Sequence, residues 1–142
     1  MGLAVLTALW IGNYFCLAIV QGSSMEPTLF PGAIVVVKLG VLPQRGDIVV
    51  IQSEKLDRRI IKRVIAAEGD AVLISGDKIW LNGSILEENY LKGSYESVRN
   101  FVVVPTQSYY VLGDNRDYSR DSRMIGVISD DEVVGVVKMS KK

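Results

Sequence analysis

The sequence predicts a mostly β domain that follows a single N-terminal transmembrane helix. Beyond residue 22, short apolar runs rich in β-branched residues alternate with turns built from Gly, Pro, Asn and Asp, a pattern typical of strands and hairpins. No segment in this part of the chain keeps a 3.6-residue apolar period over a helical length. The chain has 142 residues, which is enough for one modest core.

The N-terminal apolar run covers residues 3–20 and is interrupted only by Thr7 and Asn13. As a helix it would span roughly 27 Å, close to the ~30 Å of a bilayer core. A buried core helix or a cleavable signal peptide are the alternatives, but no Lys or Arg precedes the run and no A-x-A-like site follows it. We therefore expect a retained membrane anchor over residues 1–21 and a β-rich domain over residues 22–142.

The predicted strands follow the anchor at short intervals. Asn82-Gly83 is a strong hairpin-turn signal, so a further strand is expected directly after it. Residues 83–97 are polar and weakly patterned, which indicates a loop-rich excursion from the sheet. The strands are expected at residues 33–38, 48–51, 59–67, 72–75, 78–81, 98–104, 109–112 and 133–139.

The composition excludes several classes of site. Lys plus Arg and Asp plus Glu each number 16, so the neutral chain lacks the basic balance expected of a nucleic-acid binder. The chain contains no histidine, which excludes a Ser-His-Asp or Cys-His site and the usual His-containing zinc sites. The single Cys16 lies within the apolar run. A general base must then be a carboxylate, a Lys, a Tyr or the amino terminus, and we expect no metal or cofactor.

A serine and a lysine are the candidate catalytic pair. Ser24 lies in the turn GSSMEPTL, four residues after the apolar run ends, so it would sit at the membrane surface. In a strand over residues 59–67, Lys62 shares a face with apolar neighbours such as Ile60 and Val64. Burial there can supply the ~4 kcal/mol that brings a lysine pKa from about 10.4 to about 7.5. The alternative is a solvated edge strand rich in Lys and Arg.

The stretch GDNRDYSRDSR, residues 113–123, contains three acids and three arginines. This balance favours a folded, internally paired loop, with a surface turn of incidental pairs as the alternative. Ser119 and Ser122 in this loop supply hydroxyls that could orient an amine.

Together these stretches resemble the type I signal peptidases, a Ser-Lys dyad family. GSSMEPTL, IIKRVIAAEGD and GDNRDYSRDSR resemble, in this order, the serine, lysine and GDNRD boxes, and GDIVVI resembles the short box between the first two. The resemblance covers about residues 20–137 and is closest to the short, single-anchor enzymes of Gram-positive bacteria. It implies a coiled β-sheet like that of signal peptidases and LexA, with a reduced second β-domain at residues 76–106.

The resemblance also implies roles for individual residues. Ser24 matches the nucleophile, Lys62 the general base and Ser119 the hydroxyl that orients the lysine. The Ser24 backbone N–H would bind the oxyanion, with Gly22 at a position where some members add a hydroxyl donor. The resemblance implies structural ion pairs for Arg63, Asp114, Arg116, Asp121 and Arg123. It also implies that shallow pockets for the small residues at −1 and −3 of the substrate are lined by Val20, Met25, Leu29 and Ile61.

The expected activity is a serine endopeptidase that removes signal peptides at small-x-small sites. The expected partners are preprotein signal peptides and the lipid bilayer, and not nucleic acid. The expected location is the cell membrane, single-pass, with the peptidase domain on the extracytoplasmic side. Three alternatives remain: a LexA-like self-processing peptidase, a non-catalytic assembly factor of the same fold, and a membrane-tethered β-domain for protein interaction.

Overall fold

Two antiparallel sheets form the fold. The computed structural model describes residues 9–11, 14–91 and 93–139, the first of these ranges by its backbone alone. The larger sheet has the strand order β1-β2-β3-β12-β4-β5-β10-β11. Its strands are β1 (Leu9–Ile11), β2 (Phe15–Ile19), β3 (Ile34–Leu39), β4 (Ile48–Ser53), β5 (Arg58–Ala67), β10 (Ser108–Leu112), β11 (Ile128–Ser129) and β12 (Val133–Lys138).

The smaller sheet is inserted between β5 and β10 and has the order β8-β7-β6-β9. It therefore runs from Ala71 to Val103, and overlaps the second β-domain that was expected at residues 76–106. Asn82 and Gly83 both have positive φ, as a type I′ turn requires, and a short strand follows them. The strands are β6 (Ala71–Gly76), β7 (Lys78–Leu81), β8 (Ser84–Ile85) and β9 (Ser97–Val103).

Helical structure in the described residues is short and lies near the GDNRD stretch. The helix α1 (Ser122–Ile125) follows a 3₁₀ turn at Arg116–Tyr118, and a second 3₁₀ turn covers Asp130–Glu132. The side chain of Asp121 caps α1 by accepting a hydrogen bond from the Arg123 N–H.

Strand β5 is the centre of the molecule because it contributes to all three hydrophobic clusters. Ile61 packs in a cluster with β2, β3 and β4. Ile60 and Val64 point to the other face of the sheet, into a cluster that includes Ile125 of α1. Ile65 joins a third cluster with the smaller sheet. A register shift between β5 and β10 at Tyr110 marks the point where the strand turns from one cluster to the next.

The expected transmembrane helix is wrong over residues 15–19, which form β2. Cys16, Ala18 and Val20 are buried in the core, and β2 pairs along its length with β3. No helix among the described residues is long and apolar enough to cross a bilayer. A continuous apolar run has the same composition whether it spans lipid or forms a strand that is apolar on both faces, which explains the error. Residues 9–11 of the predicted anchor also form a strand, β1, which pairs with β2. Residues 1–8, 12 and 13 of the predicted anchor lie outside the described residues.

Candidate active site

The turn that contains Ser24 begins where β2 ends. Val20 and Ala33 extend the β2–β3 ladder by one step, with Val20 N donating to Ala33 O at 2.8 Å. The loop after β10 fixes the turn from the other side, because Asn115 N donates to Ser24 O at 2.9 Å and Asn115 Nδ2 donates to Ser23 O at 3.0 Å. These hydrogen bonds fix the Ser24 carbonyl, and the Ser24 side chain faces β5.

Lys62 of β5 donates a hydrogen bond of 2.8 Å from Nζ to Ser24 Oγ. Both side chains are buried, with Ser24 2% and Lys62 1% exposed. Lys62 lies on the face of β5 that also presents Ile60 and Val64, as the strand alternation predicts. A long aliphatic stem therefore passes over apolar neighbours, and only the amine meets a polar partner.

Burial lowers the pKa of the Lys62 amine to about 8, since the charged form loses its hydration. The neighbouring charges act in both directions. Asp121 and Asp114 raise the pKa, whereas Arg58 and Arg123 lower it. Each of the two carboxylates is already paired with an arginine, so their effect on Lys62 is reduced, and desolvation dominates. At pH 7 about a tenth of the amine is then neutral and can accept a proton, and this fraction rises with pH.

Asp114 connects β5 to the turn that contains Ser24. Its carboxylate, fully buried, accepts hydrogen bonds from Arg63 Nε at 2.9 Å and Nη2 at 2.7 Å. The Thr28 hydroxyl donates to the same carboxylate. Arg63 also donates to Gly46 O at 2.9 Å, and its guanidinium stacks 3.8 Å from the centroid of the Tyr90 ring. This bidentate pair holds the turn against the strand that supplies Lys62.

The expected pairing within the GDNRD loop is only partly formed. Arg123 pairs internally with Asp121, from Nε to Oδ1 at 2.8 Å and from Nη2 to Oδ2 at 2.9 Å. Arg116 instead pairs with Glu88, outside the loop, and donates to Tyr95 Oη at 2.9 Å and Gly113 O at 2.8 Å. The loop is balanced in charge, but two of its three ion pairs reach other elements.

Ser119 does not make the hydrogen bond to Lys62 that the resemblance implies. Its Oγ is buried and has no hydrogen-bond partner among the described residues. It lies against Gly113, where a Cβ would overlap with Ser119 Oγ and would lie 2.6 Å from Ser24 O. Gly113 is therefore required for Ser119 to approach the Ser24 turn. The Ser119 hydroxyl thus lies beside the Ser24 turn without a hydrogen-bond partner among the described residues.

The residues expected to line the substrate pockets lie together. They belong to one buried cluster below the Ser24 turn, on the face of β5 opposite Lys62. The Ser24 N–H donates no hydrogen bond to another described residue, so it is available as an oxyanion donor. Gly22 has a φ of 74°, in the left-handed region that glycine adopts without strain. The cluster includes Val20, Met25, Leu29 and Ile61.

Several site residues were not predicted from the sequence. Glu88, Tyr90 and Tyr95 come from the stretch that was expected to be a loop-rich excursion, and they pack against Arg63 and Arg116. Only the surplus of aromatic and acidic residues in residues 86–97 could have suggested them. Among the described residues, no group of three or more Cys, Asp and Glu side chains is arranged to hold a metal ion.

The sequence matches the family described as "Signal peptidase, peptidase S26" over residues 1–141. It is 36% identical over 131 residues to signal peptidase I U of Bacillus subtilis, covering 82% of this chain and 70% of that protein. It is 37% identical over 153 residues to signal peptidase I T of the same species, covering 96% and 79%. For signal peptidase IB of Staphylococcus aureus the identity is 37% over 141 residues, covering 83% and 73%.

The fold is also similar to a solved structure. The crystal structure of a signal peptidase I from Enterococcus faecalis V583 superposes with a TM-score of 0.62 at 32% sequence identity. The match covers 69% of this chain and 98% of that one.

Proposed function

Because this chain belongs to the signal peptidase family, peptidase S26, and is a serine endopeptidase, we propose that it removes signal peptides from exported preproteins with a Ser24–Lys62 dyad. The observation on which the dyad rests is the 2.8 Å hydrogen bond from Lys62 Nζ to Ser24 Oγ in a buried site. The lowered pKa of the amine supports the same assignment, since a base needs to be neutral near the working pH.

In the proposed acylation step, neutral Lys62 takes the proton of Ser24 Oγ while this oxygen attacks the carbonyl carbon of the scissile bond. The Ser24 N–H donates to the oxyanion that develops on the carbonyl oxygen. The Lys62 ammonium then gives its proton to the leaving amine, and the C–N bond breaks. The mature protein leaves with a new N-terminus, and the signal peptide remains as an ester on Ser24.

In the proposed deacylation step, Lys62 is neutral again and takes a proton from water. The resulting hydroxide attacks the ester carbon, and the bond from this carbon to Ser24 Oγ breaks as Lys62 returns the proton to Oγ. The signal peptide leaves as a carboxylic acid, which then releases its proton to solvent. We propose that Ser119 orients Lys62 while Oγ is esterified, because the lysine then loses its present partner. The buried Ser119 hydroxyl has no other hydrogen bond to give up.

The proposed substrate preference follows from the cluster below Ser24. Val20, Met25, Leu29 and Ile61 are buried below the Ser24 turn, each at most 7% exposed, so they leave little open space for a side chain. We propose that the pockets they border therefore accept small side chains at −1 and −3 and exclude large ones. The paired Asp114–Arg63 and Asp121–Arg123 groups are assigned to holding the turn, the strand and α1 in place.

Membrane association is proposed from an apolar patch on the outer face of β2 and β3. Ile19 pairs with Ile34 and Leu17 with Val36, so four aliphatic side chains are neighbours across the two strands. Ile34 is 68% exposed, and Phe30, which precedes β3, is 54% exposed. An exposed apolar patch beside the nucleophile turn fits contact with a lipid surface. We place the domain at the extracytoplasmic face, where exported preproteins present their cleavage sites.

The test is to incubate the full chain, in lipid vesicles, with a preprotein and to sequence the N-terminus of the product. The proposal expects one new N-terminus, directly after a small-x-small sequence that follows the apolar core of the signal peptide. Cleavage of the chain itself with the preprotein left intact would favour the self-processing alternative. No cleavage of either protein would contradict the proposed function.

A further inference from the structure

A groove of about 350 Å³ opens beside Ser119. Strand β9 forms one wall and the segment from the 3₁₀ turn to α1 forms the other. Its lining includes Ser97, Val98, Arg99, Ser119, Arg123 and Met124.

The β9 wall is the edge of a sheet. Strand β9 pairs with β6 on one side, and within the described residues no strand pairs with its other side. Its backbone N–H and C=O groups on that side are therefore available to a further strand. Val98 on this strand is 90% exposed, and Met124 on the opposite wall is 70% exposed. Two apolar side chains thus face solvent on the two walls of one groove.

The groove lies close to the proposed active site. Ser119, part of its lining, packs against Gly113 and lies next to the carbonyl of Ser24. The Ser119 Oγ is buried without a hydrogen-bond partner. Ser119 therefore connects the groove wall to the Ser24 turn through Gly113.

The groove and the proposed signal-peptide pockets lie on opposite sides of β5. Ile61 faces the cluster that contains Val20 and Met25. Ile60 and Val64 face the other way, towards Ile125 of α1, the helix that borders the groove. The proposed substrate orientation has the −1 and −3 side chains on the Ile61 side and the mature segment on the side of α1.

We propose that this groove binds the first residues of the mature segment, those that follow the scissile bond, as an extended chain along the free edge of β9. The inference rests on the proposed function and adds a subsite to it. The subsite takes an apolar side chain between Val98 and Met124. It favours a carboxylate near Arg99, because this exposed arginine has no ion pair among the described residues, whereas Arg116 and Arg123 are already paired.

The test uses two peptides with the same signal-peptide portion. One ends a single residue after the cleavage site, and the other continues for eight residues. Val98→Asp and Met124→Asp place a charge on either wall and are expected to raise KM for the long peptide about tenfold, because an apolar contact is lost and a carboxylate must be desolvated. KM for the short peptide is expected to stay within twofold of wild type. N-methylation of backbone amides after the cleavage site is expected to weaken the long peptide alone.

Val103→Asp is the matched control, because Val103 lies on β9, is 55% exposed and does not line the groove. It is expected to leave both peptides unchanged. Cleavage of the short peptide by wild type and not by Ser24→Ala supports the proposed function by itself. If both groove variants then cleave the long peptide with the KM of wild type, the groove assignment is overturned while the proposed function stands. If wild type cleaves neither peptide, both the function and the subsite fail.

Discussion

Lys62 Nζ lies 2.8 Å from Ser24 Oγ, although 38 positions separate the two residues in the chain. The amine is desolvated by the strand cluster around it, and the hydroxyl is held by a turn that Asn115 and Asp114 tie to the rest of the domain. A buried lysine with a lowered pKa, hydrogen-bonded to a serine hydroxyl, is an arrangement that a serine peptidase without histidine can use.

The pH dependence of cleavage is expected to follow the ionisation of Lys62. Its pKa is lowered to about 8, and the neutral amine is the active form. Below this value each unit of pH therefore reduces kcat/KM about tenfold, and above it the rate levels off. Initial rates on a signal-peptide substrate from pH 6 to pH 10 measure this. A rate that is flat between pH 6 and pH 8 would contradict Lys62 as the base.

Arg58 is expected to contribute to the low pKa of Lys62. It lies four residues earlier on the same face of β5, and its Nε and Nη2 are buried without a hydrogen-bond partner among the described residues. Its charge is thus not neutralised locally and disfavours a second cation. Arg58→Gln should move the acidic limb of the pH profile to higher pH and reduce kcat/KM at pH 7 roughly threefold.

Arg58→Lys keeps the charge and should restore most of this activity. Arg45→Gln is the control, since the Arg45 side chain is 55% exposed and its pair with Asp70 is long, at 3.7 Å. An Arg58→Gln profile that superposes on wild type would contradict a contribution of Arg58 to the lowered pKa of Lys62.

Asp114→Asn is expected to reduce both stability and activity. The amide cannot accept the two Arg63 hydrogen bonds and the Thr28 hydrogen bond together, and a buried guanidinium is left poorly paired. Breaking such a pair costs about 3 kcal/mol of unfolding free energy. Urea denaturation measures the loss, and kcat should fall because the Ser24 turn is no longer held against β5.

Asp77→Asn is the matched control for this pair. Asp77 and Lys78 are 3.8 Å apart, with side chains that are 45% and 55% exposed, so no measurable change in stability is expected. Equal effects of the two substitutions would argue against a structural role for the Asp114–Arg63 pair.

Ile34→Glu is expected to weaken binding to lipid. The side chain is 68% exposed in the apolar patch of β2 and β3, and a charge there cannot enter the acyl region without a large desolvation cost. Co-sedimentation of the full chain with vesicles of neutral lipid measures this. Ile85→Glu, at a 56% exposed position of the smaller sheet, is the control. Equal loss for both variants, or none for either, would contradict the assignment of the patch.

Strand positions were largely predictable from the sequence because turn residues delimit them. The hairpin at Asn82-Gly83 and the burial of Lys62 follow from local rules, namely positive φ at the turn and a two-residue period in the strand. The segment 15–19 was misassigned because an apolar strand and an apolar helix have the same local composition. Pairing with β3 makes this segment a strand, and such pairing depends on the tertiary structure, which the local sequence does not show.

The candidate site was predictable where a motif contains the chemistry. Ser24 and Lys62 lie in short, recognisable stretches, and the structure brings them into contact. Glu88 could not be assigned to Arg116 in the same way, because 28 positions separate them and nothing local distinguishes Glu88 from other acids. The missing Ser119–Lys62 hydrogen bond depends on a side-chain orientation next to Gly113, and spacing in a sequence does not encode that orientation.

The most direct test of the dyad is single-turnover cleavage of one preprotein by wild type, Ser24→Ala and Lys62→Met, with each variant shown to be folded by its thermal transition. Both substitutions are expected to lower the cleavage rate by at least about a thousandfold, with no change in preprotein binding, because each removes one partner of the proton transfer. Lys62→Met keeps a similar apolar volume and is expected to fold at least as stably as wild type. Cleavage at the wild-type rate by either folded variant would contradict the assignment of Ser24 as nucleophile and Lys62 as base.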